Sequence, residues 1–191
     1  MGTDWRAAKR ARTRETVQQA ALRLFAEYGY DGVTVERIAA EAGVSHTTFF
    51  RYFPTKEDVV LSDNYDPLIA RFVAARGETD PVERVRRGIA EALRLLDEHE
   101  MVVVRERTRL MLSASALRAR QWENQAATQR LLEEVLRGDA SGAVPLALRV
   151  TAAACTAALA TAVTVWAEDD GADLAATVDA AFVALERNRR A

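Results

Sequence analysis

"AGVSHTTFFRYFPTK", from Ala42 to Lys56, decides the fold. It sets Phe49, Phe50, Tyr52 and Phe53 within five positions, behind a glycine and ahead of a proline. Gly43 can stop one short helix. Ser45 can cap the next by accepting from a first-turn N–H, and Pro54 drives the residue before it out of helical conformation. Just upstream, Thr34 offers a second N-cap, Glu36 falls in a first turn where the helix dipole favours it, and Ile38, Ala39 and Ala42 point to one side. Two short helices around a tight "GVS" turn have the spacing of a helix-turn-helix, whose second helix enters the major groove. In that helix Phe49 and Phe53 share a face with Val44 and should anchor it. His46, Thr47 and Thr48 form a polar tip bordered by Phe50, Arg51 and Tyr52. Such side chains can hydrogen-bond base edges, and a methyl or a ring can touch a thymine methyl. Lys56 opens the next helix, where it can meet a phosphate. An aromatic core helix with a polar cap and no DNA role is the competing reading of this segment alone.

The rest of the chain supports an all-α protein. Of 191 residues 49% are hydrophobic, enough for a buried core, with only 9 Gly and 4 Pro. A single cysteine, Cys155, rules out an intrachain disulfide and favours a reducing, cytoplasmic location. The N-terminus is polar, with no apolar core of a signal peptide. Net charge is only −2, but Arg6, Lys9, Arg10, Arg12 and Arg14 crowd the start. Because charge acts locally, screened over roughly 10 Å, a basic arm over about residues 1–12 can find a phosphate backbone. A solvated tail is the equal alternative.

Helical periodicity continues throughout. Val17, Ala21, Leu24, Phe25 and Tyr28 make one stripe from Thr13 to Tyr28. A helix is expected from about Lys56 to Ala75, with a bend at Pro67. Asp80-Pro81 supplies a cap and a first-turn proline for the stripe Val82, Val85, Ile89, Leu93. Helices follow at about 101–114 and 116–137, then the loop "GDASGAVP", then helices at about 144–167 and 173–189.

The stretch "TRETVQQAALRLFAEYGYDGVTVERIAAEAGVSHTTFFRYFPTKEDVV" (13–60) closely resembles the N-terminal domain of the tetracycline-repressor (TetR) family of bacterial transcriptional regulators. It carries "A..LF...GY", "TV..IA..AGVS" and "TFF.YF..KE" in order and at the family's spacing. The resemblance implies a three-helix DNA-binding domain over 1–56 and a helical ligand-binding and dimerisation domain over 57–191. It implies DNA contacts from Thr34, His46, Thr47, Thr48, Phe50, Tyr52 and Lys56; Ser45 and Arg51 beside the polar tip, and Lys9, Arg10, Arg12 and Arg14 of the basic arm, are further candidate DNA contacts from their position and charge. Phe50 stands where the family usually has Tyr, so it lacks a hydroxyl for phosphate. The second half more loosely resembles regulators related to that of the mycofactocin system, which implies an effector of the acyl-CoA type.

From Val150 to Ala167 the chain has no charge at all. A helix apolar all round needs burial on both sides. Its small-residue face, with Ala154, Ala157, Ala158, Thr161 and Val165, can admit a partner helix in a homodimer, joined by Val178 and Phe182 of the last helix. A membrane span is the weaker alternative, since Ala and Thr give low hydropathy. Effector contacts are expected from Phe72, Leu93, Met101, Arg105, Arg109, Leu110, Met111, Arg118, Trp122 and Trp166. No catalytic or metal-ligand pattern emerges, with two His and one Cys, and no cofactor is expected. "DEHE" at 97–100 reads as a solvated helix end. The expected function is a dimeric, ligand-responsive repressor on a near-palindromic DNA operator. A ligand sensor with a vestigial DNA head is the alternative, and a helical enzyme a more remote one.

Overall fold

A computed structural model describes residues 4–62 and 65–190, which form helices with no strand among the described residues. They divide into two compact units, residues 1–62 with 110–120, and residues 63–109 with 121–191. The first unit is thus longer than the 1–56 expected and gains a segment from later in the chain.

In the first unit, α1 (Asp4–Tyr28), α2 (Val35–Glu41), α3 (His46–Tyr52) and α4 (Asp58–Leu61) surround a core of Val17, Ala21, Phe25, Ile38, Phe49, Phe53 and Val59. α1 begins at Asp4 rather than at Thr13, because Ala7, Ala8, Ala11 and the interleaved arginines are strong helix formers. Thr13 is no cap there, since its hydroxyl donates back to Lys9 O at 2.9 Å within the helix. The basic residues from Arg6 to Arg14 therefore ride on helix, and residues 1–3 of the expected arm lie outside the described residues.

The caps read from sequence are present. Thr34 accepts from Arg37 N at 3.3 Å, and Ser45 from Thr48 N at 3.1 Å. Gly43 has φ +65°, a left-handed conformation that glycine adopts without the Cβ penalty, so the turn between α2 and α3 can close.

The second unit packs α5 (Tyr65–Ala74), α6 (Pro81–Leu93), α9 (Leu146–Glu168) and α10 (Leu174–Arg190) around Val73, Val85, Ile89, Cys155, Trp166 and Phe182. The single helix expected from Lys56 to Ala75 is broken into α4 and α5. Ser62 leaves the helical region at ψ 125°, and Pro67 sits inside α5 near its start, where its missing N–H costs least. Asp80 caps α6, accepting from Val82 N at 2.8 Å. α7 (Glu98–Ser113) opens on a reciprocal capping box, with Glu100 N to Asp97 Oδ1 at 2.8 Å and Asp97 N to Glu100 Oε2 at 2.9 Å. The "DEHE" segment is therefore a helix start, and the described residues hold no cluster of metal-ligating side chains. α8 (Ser115–Arg137) completes the set, so that α7 and α8 each contribute residues to both units.

α9 is long and apolar enough to span a membrane by length and composition, yet only 22% of its most apolar window is buried within the chain. Val178 and Phe182, expected at the dimer interface, are 2% and 0% exposed and belong to the core of their own chain. They face inward because α10 lays that stripe against α9 and α6.

Candidate DNA-reading surface and ligand cleft

On α3 and its two cap residues, Phe49 and Phe53 are fully buried, while Ser45, His46, Thr47, Phe50 and Arg51 are exposed. The helix is held from below by rings and presents polar groups above. Thr48 is half-buried and tied into the cap, because its Oγ1 accepts from Ser45 Oγ at 2.9 Å. His46 lies edge-on to Phe50, with ring centroids 4.7 Å apart, and its Nε2 is 3.4 Å from Glu36 Oε1. Arg51 lies over the Tyr52 ring at 5.3 Å. Lys9, Arg10 and Arg12 are exposed along α1, whereas Arg14 is half-buried with its guanidinium 4.9 Å from the Phe53 ring centroid.

Lys56 departs from the phosphate role expected of it. Its ammonium points inward and donates to Tyr30 O at 2.7 Å and Val33 O at 2.8 Å, 4.1 Å from the Tyr30 ring centroid. Burial pushes its pKa below the ordinary lysine value. Tyr30 in turn donates to Glu57 Oε1 at 2.7 Å, and burial followed by that bond raises the phenol's pKa. Lys56 thus fastens the turn before α2. The pattern "GYDGV" ahead of α2 brings the carbonyls of Tyr30 and Val33 together, a convergence that residue spacing does not reveal.

In the second unit, a cleft of about 460 Å³ is lined by Met101, Val102, Arg105, Glu106, Arg109, Trp166, Asp170, Ala172, Asp173 and Leu174. Four of the expected effector contacts meet there: Met101, Arg105, Arg109 and Trp166. Arg109 donates to Asp170 Oδ1 at 2.6 Å and to Ala167 O at 2.7 Å. Arg105 donates to the same Asp170 oxygen at 3.1 Å and to Ala172 O at 3.3 Å, with its guanidinium 4.3 Å from the Trp166 ring centroid. The hydrogen bond from Arg109, then that from Arg105, holds the Asp170 carboxyl below the usual carboxylate range.

The other expected contacts lie elsewhere. Leu110 and Met111 pack on the core of the first unit. Arg118 donates to Leu112 O and Ser113 O, closing the end of α7. Trp122 is 76% exposed. Phe72 and Leu93 pack against the second core and are absent from the cleft lining. Sequence reasoning missed Asp170. The available signal was an Arg105–Arg109 pair one helical turn apart and an acidic "EDD" run (168–170) at the end of α9.

Comparison with known proteins decides the family. Residues 18–62 match bacterial regulatory proteins of the tetR family, and residues 79–190 match the MftR C-terminal domain. The chain belongs to the TetR family of transcriptional regulators. It is 29% identical over 114 residues to the mycofactocin biosynthesis transcriptional regulator MftR of Mycobacterium tuberculosis, across 58% of this chain and 57% of that one. The chain thus spans little more than half the length of that curated relative. Among solved structures, the fatty acid degradation regulator FadR of Bacillus halodurans superposes with a TM-score of 0.56 at 28% identity, covering 91% of this chain and 94% of that one. FadR of Thermus thermophilus, a TetR-family repressor in complex with lauroyl-CoA, superposes with a TM-score of 0.54 at 27% identity, covering 91% and 93%.

Proposed function

We propose that this TetR-family regulator is a homodimeric repressor that reads DNA with the tip of α3 and is released by a small, largely apolar effector bound in the cleft. The observation that carries the reading is the division of α3, with Phe49 and Phe53 fully buried beneath exposed His46, Thr47 and Phe50. A rigidly seated helix with hydrogen-bonding groups at its N-terminal tip suits direct reading of base edges in a major groove. Exposed Ser45, Arg51 and Thr34, half-buried Tyr52, and Lys9, Arg10 and Arg12 are then the groups that position the domain on the phosphates. The homodimer would form on the exposed side of α9, where Val150 and Val165 are 59% and 49% exposed beside Ala157 and Thr161. Two heads would meet two half-sites of a near-palindromic operator.

An effector site is supported by the cleft's Met101 and Val102 side, set over the buried Trp166 and Leu174. It is also supported by the likeness to a repressor whose structure holds lauroyl-CoA. α7 carries the cleft residues Arg105 and Arg109 and, directly after them, Leu110 and Met111 packed on the first core, so a shift of that helix would be felt by both units.

The test is binding to a duplex selected from random sequence, against a scrambled duplex, at several salt concentrations. His46→Ala or Thr47→Ala should lower affinity for the selected duplex by about 1–3 kcal/mol and scarcely alter the scrambled one. Equal affinity for both duplexes in the unaltered protein would defeat the reading.

A further inference from the structure

We propose that Arg105 and Arg109 form a subsite for the single anionic group of an otherwise apolar ligand, and that Asp170 occupies this subsite as an internal surrogate in the free chain. The proposal rests on the reading of the cleft as an effector site. Asp170 Oδ1 stands where a ligand carboxylate or sulfonate oxygen would stand. Both guanidinium groups donate to that one atom, at 2.6 Å and 3.1 Å. Each guanidinium is also anchored independently, Arg109 on Ala167 O and Arg105 on Ala172 O and across the Trp166 ring. The donors therefore stay aimed when Asp170 leaves. Asp170 can leave readily, because its side chain is 82% exposed and an ion pair in water is weak. A ligand anion attached to a body lying on half-buried Met101 and exposed Val102, over the buried Trp166 and Leu174 at the cleft floor, has the apolar contact that Asp170 lacks.

The cleft also limits the ligand's charge. Glu106 and Asp173 also line the cleft, the latter with its carboxylate accepting from Ala176 N at the start of α10, so two further negative charges border the site. One negative charge is accommodated by two converging guanidinium forks, while a polyanion meets repulsion. The chemistry points to a monoanionic amphiphile, such as a medium-chain carboxylate or an aryl sulfonate, in preference to a phosphate-rich conjugate.

The experiment uses two fluorescent probes of one shape. 1-Anilinonaphthalene-8-sulfonate carries one anionic group, and N-phenyl-1-naphthylamine has the same rings without it. Titrations are made on the full chain, on Asp170→Asn, and on Arg105→Gln/Arg109→Gln. Removing the surrogate charge should tighten the sulfonate probe about fivefold or more, and the double arginine variant should weaken it by at least as much. The neutral probe should stay within about twofold throughout. An unchanged sulfonate affinity in Asp170→Asn, or a shift shared by both probes, overturns the proposal. The unaltered chain supplies a test that needs no variant: octanoate must displace the sulfonate probe at lower concentration than octanol or octanoyl-CoA. Displacement by octanoyl-CoA at the lowest concentration overturns the single-charge assignment. DNA binding is measured separately with octanoate present. If the probes behave as stated while DNA affinity is untouched, the effector reading fails and the anion subsite stands.

Discussion

Lys56 shows how one residue can match a family position and yet do different work. The motif places it at the start of a helix, where a phosphate contact is the natural expectation. The structure gives its ammonium two carbonyls, Tyr30 O and Val33 O, and an aromatic face. Three donors and a charge brought partly out of water are well matched by that setting. Lys56→Met keeps the length of the side chain but leaves Val33 O without the ammonium and Tyr30 O with only a long 3.5 Å bond from Val33 N. We expect a loss of about 1–3 kcal/mol in unfolding free energy, since an unsatisfied buried acceptor bears its full desolvation penalty. The salt dependence of DNA binding should stay the same for the fraction that remains folded. A phosphate-contacting lysine would do the reverse, lowering the slope of log K against log salt by about one with no change in stability. Urea unfolding and salt titrations on the same variant separate the two. Phe50 presents the opposite case. Its exposure was legible from the period of the helix, whereas its edge contact with His46 depends on rotamers that no spacing specifies.

Among the elements, those bounded by local chemistry were readable and those bounded by packing were not. Asp80-Pro81, Ser45 and Thr34 act within their own first turns, so sequence alone places them. The break between α4 and α5 begins at Ser62, in the stretch "SDNYDP" (62–67), whose polar residues and proline mark a turn where one bent helix was expected. Gly88 is the clearest case of a residue whose reason is tertiary. It lies buried in the middle of α6, where glycine costs about 1 kcal/mol in helix propensity relative to alanine. A Cβ there would come within 2.9 Å of Val73 N and 3.0 Å of Val73 Cα. Both are backbone atoms of α5 and cannot turn aside as a side chain can. Gly88→Ala should therefore destabilise the second unit by about 1–3 kcal/mol, the overpacking penalty exceeding the gain in helix propensity. Thermal unfolding decides between the two effects. A raised Tm would mean that α5 and α6 can separate without cost. The cleft was only half legible for a related reason. Arg105 and Arg109 are neighbours on one helix face, but their shared partner Asp170 lies 65 and 61 residues away in the chain.

At the scale of the whole molecule, α9 poses a problem that a single chain does not solve. Its apolar residues were expected to serve two surfaces, and the structure divides them that way. Ala152, Cys155, Ala162 and Trp166 are buried within the chain, while Leu146, Val150 and Val165 are 77%, 59% and 49% exposed. Val183 on α10 adds 37%. Exposed apolar side chains on two packed helices call for a cover of similar character. The placement of Val178 and Phe182 in the core then separates fold from assembly. Phe182→Ala should cost about 3–5 kcal/mol and show as lost helicity, because it empties a fully buried site. Ala157→Arg should leave helicity intact, since Ala157 is exposed in the single chain and Arg is a good helix former. In the dimer, however, it would place an unpaired charge in a desolvated interface, a change that is strongly destabilising. Sedimentation velocity should report the monomer mass for Ala157→Arg and the dimer mass for the unaltered protein. Affinity for a palindromic duplex should fall to that of a single half-site, because one head alone forfeits the second set of contacts. An Ala157→Arg protein that still sediments as a dimer would exclude this face of α9 from the interface.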